Sequence, residues 1–152
     1  MARAVGEPAP DFELPDQHGV TTTLRGLRDL APRGQVAIVF FPFAHTGVCS
    51  SELRAIQQDL SRFEERGTQV VAVSCDTMVT QRVFAEAEGF TFRLLSDFWP
   101  HGATASAYGV FDDERGCALR GTFLVDGDGV VRWRVVNDLP EARTLEDLLG
   151  VL

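Results

Sequence analysis

Apolar positions along the chain fall into unbroken runs of strand length and stripes of helical period. Residues 35–41 read QVAIVFF, a continuous Val/Ile/Phe-rich run that predicts a strand buried on both faces, as in a parallel sheet. Residues 70–73, VVAV, read the same way. Between them, Leu53, Ile56, Leu60 and Phe63 recur at spacings of three and four. They place one apolar stripe along a predicted helix over 46–66, with Gly67 as its stop. Another helix is expected over 80–88, ending at Gly89, and a short one over 103–108. Short strands are expected at 11–14, after an irregular entry containing Pro8 and Pro10, and at 92–95. Near the C-terminus, strands 122–125 and 130–136 flank Asp126-Gly127-Asp128-Gly129, a hairpin signal, and a helix over 141–152 closes the chain. The order predicts an α/β fold, a central mixed β-sheet flanked by helices on both faces.

Composition adds limits. With 152 residues, 45% of them apolar, and neither a linker nor an internal repeat, the chain is expected to form one domain spanning 1–152. Its basic residues are all Arg, 14 of them, against 22 acidic ones, for a net charge of −8. Such a surface disfavours phosphate-backbone binding, so no nucleic-acid partner is expected, although a small cationic pocket remains compatible with it. The N-terminus lacks the apolar segment of a secretory signal, and no apolar run is long enough for a membrane span. Cys49, Cys75 and Cys117 are odd in number and widely spaced, a poor disulfide framework. These features predict a cytoplasmic protein with reduced thiols and no membrane partner. The three histidines, His18, His45 and His101, show no metal spacing, so neither a metal nor a cofactor is expected.

The stretch with the most chemical content is Pro42-Phe43-Ala44-His45-Thr46-Gly47-Val48-Cys49, between a buried strand and a helix. Cys49 falls in the first helical turn, where backbone N–H groups lack intrahelical partners and the dipole favours negative charge. Both effects favour a thiolate. Thr46 lies near the N-cap, and Pro42 fixes and shields the loop without adding a donor. A cysteine on an apolar helical stripe is otherwise a small packed hydrophobe, so the junction itself distinguishes Cys49.

Pro42, Thr46 and Cys49 also match PxxxTxxC, and here the chain resembles the peroxiredoxin family. Further matches lie in GEPAPDFELPDQHG near the N-terminus, in LLSD from Leu94, in AYGV from Ala107 and in RGTFLVD from Arg120. SDFWPHG, from Ser96, is most similar to the actinobacterial alkyl hydroperoxide reductase E subgroup. The resemblance implies a thioredoxin-like fold and a thiol-dependent peroxidase acting on hydrogen peroxide and organic hydroperoxides, with peroxynitrite a further candidate. It casts Cys49 as the nucleophile that becomes a sulfenic acid, with Thr46, the Cys49 N–H and Arg120 stabilising the departing oxygen. Glu52 and Arg143 resemble the residues that orient the active-site arginine. Phe43, His45, Phe98 and Trp99 are candidates for a substrate rim.

Recycling of the sulfenic acid separates the family's types. The chain has no tail with a resolving cysteine after its last predicted helix. Arg54 occupies the position of another type's resolver, and Glu52 the second cysteine position of a CxxC pair. Cys75, at the end of a predicted central strand, is assigned to the core. A one-cysteine mechanism with an external thiol reductant is therefore expected, either mycothiol with mycoredoxin or a thioredoxin-like system. Cys117, three residues before Arg120, is the alternative resolving thiol. The resemblance also implies a homodimer. A peroxide sensor or relay that passes Cys49 oxidation to a protein partner is the competing function.

Overall fold

The computed structural model describes residues 2–152. Its elements, in chain order, begin with the paired strands β1 (Glu13–Pro15) and β2 (Thr21–Thr23) and the helix α1 (Leu24–Leu30). Then come β3 (Gln35–Phe40), α2 (Gly47–Gln58), α3 (Leu60–Glu65), β4 (Thr68–Ser74), α4 (Met78–Glu88) and β5 (Arg93–Ser96). The last part holds α5 (Ala103–Ala107), β6 (Phe111–Asp112), β7 (Cys117–Ala118), β8 (Arg120–Val125), β9 (Val131–Asn137) and α6 (Leu145–Leu149).

Five strands form a central mixed sheet in the order β5-β4-β3-β8-β9, as the α/β pattern predicts. Strands β3, β4 and β5 are parallel, β8 runs antiparallel to β3, and β9 antiparallel to β8. Every residue of β3 is buried because both its faces are covered. Its alternation divides the core: Ala37 and Val39 join Cys49, Leu53, Ile56, Phe63 and Phe84 in one layer. Val36, Ile38 and Phe40 join Leu27, Tyr108 and Phe123 in the other.

Several boundaries differ from the sequence expectation for local reasons. The helix expected over 46–66 is two helices, interrupted at Asp59 (φ −103°, ψ 16°). Phe63 nevertheless reaches the same core layer as Leu53 and Ile56, so the stripe persists across the break. Helix α6 starts only at Leu145, because the backbone and side chain of Arg143 are drawn onto Glu52 and Thr144 is extended. Helix α1 is an additional element: seven residues containing Gly26 are a faint periodic signal, yet Leu24 and Leu27 are buried and the Thr23 hydroxyl caps the Gly26 N–H at 3.0 Å. The hairpin expected at Asp126 is present, with its carboxylate accepting the Asp128 and Val130 N–H groups.

Parallel strands end together. The segments that follow β3, β4 and β5, residues 41–46, 75–77 and 97–102, therefore lie at one end of the sheet. The carboxyl ends of strands in open α/β sheets are where crevices for ligands form. The loop leading to Cys49 is one of these segments.

Candidate active site

Thr46 is the N-cap of α2, extended at φ −91° and ψ 152°, and Cys49 is the third helical residue. The Ser50 N–H is the first to reach back, donating to the Thr46 carbonyl at 2.9 Å. The Cys49 N–H therefore precedes the intrahelical ladder. The thiol is fully covered, with 0% exposure, and lies in the layer of Ala37, Val39 and Leu53. It is both a continuation of the apolar stripe and a group facing charge: Arg120 Nη1 lies 3.3 Å from its Sγ.

Three buried charges hold that arrangement. Arg120, at the start of β8, donates Nη1 to Glu52 Oε1 at 2.5 Å and Nε to the Leu139 carbonyl at 2.6 Å. Glu52 lies three residues after Cys49 on the same helix, so its side chain and the thiol share a face. Its other oxygen accepts the backbone N–H of Arg143 at 2.6 Å and the Arg143 Nε at 3.0 Å. Arg143 Nη1 continues to the Thr122 hydroxyl at 2.8 Å and the Gly121 carbonyl at 3.2 Å, and its Nη2 donates to the Phe40 carbonyl. Burial pushes the Arg143 guanidinium below its ordinary pKa, and the neighbouring Glu52 carboxylate opposes that shift. One carboxylate thus fixes two guanidiniums between the ends of β3 and β8 and the start of α2.

The loop before Cys49 has its own supports. Pro42 is buried. The Ala44 N–H donates to Asp76 Oδ2 at 2.8 Å, which ties the loop to the end of β4. The Thr46 hydroxyl, exposed, donates to the Phe43 carbonyl at 3.1 Å rather than capping the helix. His45 has a left-handed backbone (φ 65°), and its ring packs on Phe84 of α4 at 5.0 Å. On the same side, Arg54 forms a bidentate ion pair with Glu88, joining α2 to α4. Asp76 was not singled out from sequence. Its signal is its place immediately beyond β4, at the strand ends where the loop also lies.

Cys49, Glu52, Arg120 and Arg143 are therefore in direct contact or one hydrogen bond apart, and Pro42 and Thr46 belong to the loop that seats them. The rim candidates come from two of the segments at this end of the sheet, 41–46 and 97–102. Phe43 and Phe98 are partly exposed, Trp99 is 81% exposed, and the Phe98 ring packs edge-on against His101 at 5.9 Å.

Cys75 and Cys117 are buried free thiols. Burial, reinforced by the Asp97 charge, pushes Cys75 up to about 12. Burial also raises Cys117, which lies within electrostatic reach of Cys49 and Arg120. Ala118 packs in the layer opposite Cys49, whereas Arg120 reaches Cys49. Simple alternation from Arg120 back to Cys117 therefore does not hold. The Gly121 N–H donates to the Leu119 carbonyl at 2.9 Å, a tight turn around Arg120 that resets the parity between β7 and β8.

Comparison with known proteins places this geometry among relatives. The AhpC/TSA family model matches residues 5–134. The chain is 45% identical over 139 residues to alkyl hydroperoxide reductase E of Mycobacterium tuberculosis, covering 91% of this chain and 89% of that protein. The crystal structure of peroxidoxin BcpB from M. tuberculosis superposes with a TM-score of 0.83 at 30% identity, over 96% of this chain and 94% of that one. The AhpC of Enterococcus faecalis superposes with a TM-score of 0.85 at 27% identity, over 99% and 90% of the two chains. The family match over residues 5–134 and the 45% identity over most of the chain fix the assignment that the geometry suggests: the chain belongs to the AhpC/TSA family of peroxiredoxins.

Proposed function

We propose that the protein is a thiol-dependent peroxidase that reduces hydrogen peroxide and organic hydroperoxides, with peroxynitrite a further substrate. The single observation that carries this reading is the 3.3 Å contact between Arg120 and the sulfur of Cys49, inside a network closed by Glu52 and Arg143. The Cys49 thiolate attacks one peroxide oxygen, and the O–O bond breaks. The second oxygen leaves with a proton as water or an alcohol, and the sulfur becomes a sulfenic acid.

The developing charge on the departing oxygen needs donors in place beforehand. Arg120 offers the remaining Nη2, since its Nε and Nη1 are engaged by Leu139, Cys49 and Glu52. The Cys49 N–H, ahead of the helical ladder, is a second donor. Thr46 takes a complementary part. Its proton is directed to the Phe43 carbonyl, so its oxygen is arranged to accept the peroxide O–H.

Reduction is assigned to an external thiol, mycothiol with mycoredoxin or a thioredoxin-like system, acting in a reducing cytoplasm. One thiol displaces water from the sulfenic acid to give a mixed disulfide, and a second releases Cys49 as a thiol. The raised pKa of Cys75 and of Cys117 supports this one-cysteine route over resolution by either residue. Among the described residues, no helix is long and apolar enough to cross a membrane.

The large exposed apolar side chains Phe43, Val48, Val79, Val83, Phe98 and Trp99 follow the ends of β3, β4 and β5. They support a homodimer built on this end of the sheet. The functional test is peroxide consumption with a small-thiol reductant. Cys49→Ser abolishes it, while Cys75→Ser and Cys117→Ser retain the first turnover. Turnover retained by the Cys49 variant overturns the assignment.

A further inference from the structure

The seat of Cys49 sets a problem for its recycling. Its side chain has no exposed surface: a peroxide needs room for only a few heavy atoms beside the sulfur, whereas in the reaction proposed above an external thiol must bring a far bulkier molecule in line with it. The start of α2 and the loop 42–46 must therefore move between the two half-reactions. What restrains them is visible in the hydrogen bonds. Asp76 Oδ2 accepts the Ala44 N–H at 2.8 Å and the Ser74 hydroxyl at 2.7 Å. Ser74 Oγ in turn accepts Gln81 Nε2 at 2.9 Å, and the same Nε2 donates to the Leu95 carbonyl at 2.8 Å. The Asp76 carbonyl accepts the Ser96 hydroxyl at 2.6 Å. Ser74 and Gln81 are both fully buried.

The carboxylate is thus fixed on the sheet side by a chain of bonds through β4, α4 and β5. On the loop side it holds Ala44 by one charge-assisted bond. Such an arrangement is asymmetric: when the loop moves, the Ala44 bond breaks and the rest stays. We infer that Asp76 is a positioning residue, a latch that sets the balance between a closed loop that oxidises Cys49 and an open one in which its sulfenic acid is reduced. This rests on the reading of Cys49 as the peroxide-reactive thiol. The latch does not touch the reacting atoms. It acts through Ala44 on the placement of the first turn of α2.

The two half-reactions therefore respond in opposite directions. Asp76→Ala removes the acceptor, while Asp76→Asn keeps an oxygen for the Ala44 N–H and serves as the conservative rescue. Rapid mixing with hydrogen peroxide reads Cys49 oxidation, and dimedone capture of the preformed sulfenic acid reads opening. A bond to a charged acceptor shifts such an equilibrium by about tenfold or more. Asp76→Ala is expected to be captured by dimedone about tenfold faster than the wild type and to oxidise more slowly, with Asp76→Asn restoring both rates most of the way. Both rates unchanged, or both reduced together, overturns the latch. If Asp76→Ala does not fold, amide exchange in the wild-type protein decides. Protection of the Ala44 N–H is expected, and exchange at the rate of an unprotected amide overturns the proposal. The wild-type arm keeps the two claims apart. Absence of Cys49 oxidation there removes the peroxidase reading, whereas normal oxidation with an indifferent Asp76→Ala removes the latch alone.

Discussion

At the scale of single residues, Arg120 and the three cysteines divide the chemistry. Arg120 serves the Cys49 sulfur, Glu52 and the Leu139 carbonyl with one rigid fork. A lysine offers a point charge without that fork. Arg120→Lys is expected to slow Cys49 oxidation by about 100-fold, the scale of losing one preorganised donor to a developing oxyanion, as read by rapid mixing with peroxide. A rate within about twofold of wild type would reject that role. The other two cysteines are set by their burial. Burial disfavours the charged form, so Cys75, raised to about 12, stays a neutral thiol until the pH approaches that value, and Cys117 is shifted in the same direction. Only thiolates alkylate readily. In the folded protein at pH 8, iodoacetamide is therefore expected to leave both residues unmodified, and rapid labelling of Cys75 would contradict its burial. The place of Pro42, Thr46 and Cys49 at a strand-to-helix junction was legible in the sequence, because an apolar run and an apolar stripe flank the short motif that carries them. The side of the sheet that Cys117 faces was not, because the turn around Arg120 interrupts the alternation by which side-chain directions are read along a strand.

At the scale of elements, α2 is positioned by an apolar face and by an ion network. Leu53 and Ile56 anchor it in the core, while Glu52 connects it to β8 and to the segment before α6. Glu52, Arg120 and Arg143 have nearly fully buried side chains. Deleting the carboxylate leaves two guanidiniums unpaired in a low-dielectric setting. Glu52→Ala is therefore expected to destabilise the fold by about 3–5 kcal/mol in urea denaturation. A loss below about 1 kcal/mol would show that the network is not structurally coupled. The strands β3 and β4 were readable as unbroken apolar runs, since both their faces are covered. The late start of the final helix was not readable from propensity. Its would-be first turn is drawn away by a tertiary contact, Arg143 with Glu52. Asp76 is a similar case, a carboxylate whose meaning appears only when the ends of β3 and β4 meet.

At the scale of the whole molecule, parallel β3, β4 and β5 bring the Cys49 loop, Asp76 and the exposed Trp99 segment to one end of an acidic protein of net charge −8. That global charge conceals the two buried guanidiniums around Cys49. The apolar side chains at this end define the proposed dimer surface. Trp99→Arg is expected to shift the solution mass from dimer to monomer in sedimentation, and an unchanged mass would place the interface elsewhere. The central claim concerns one atom of the whole: Cys49 takes an oxygen from peroxide and keeps it until an external thiol arrives. Intact-mass analysis with peptide mapping, after one equivalent of hydrogen peroxide and without reductant, tests this most directly. The account predicts a gain of one oxygen, located on Cys49. Loss of two hydrogens, marking an internal disulfide, or oxygen on a residue other than Cys49, would contradict it.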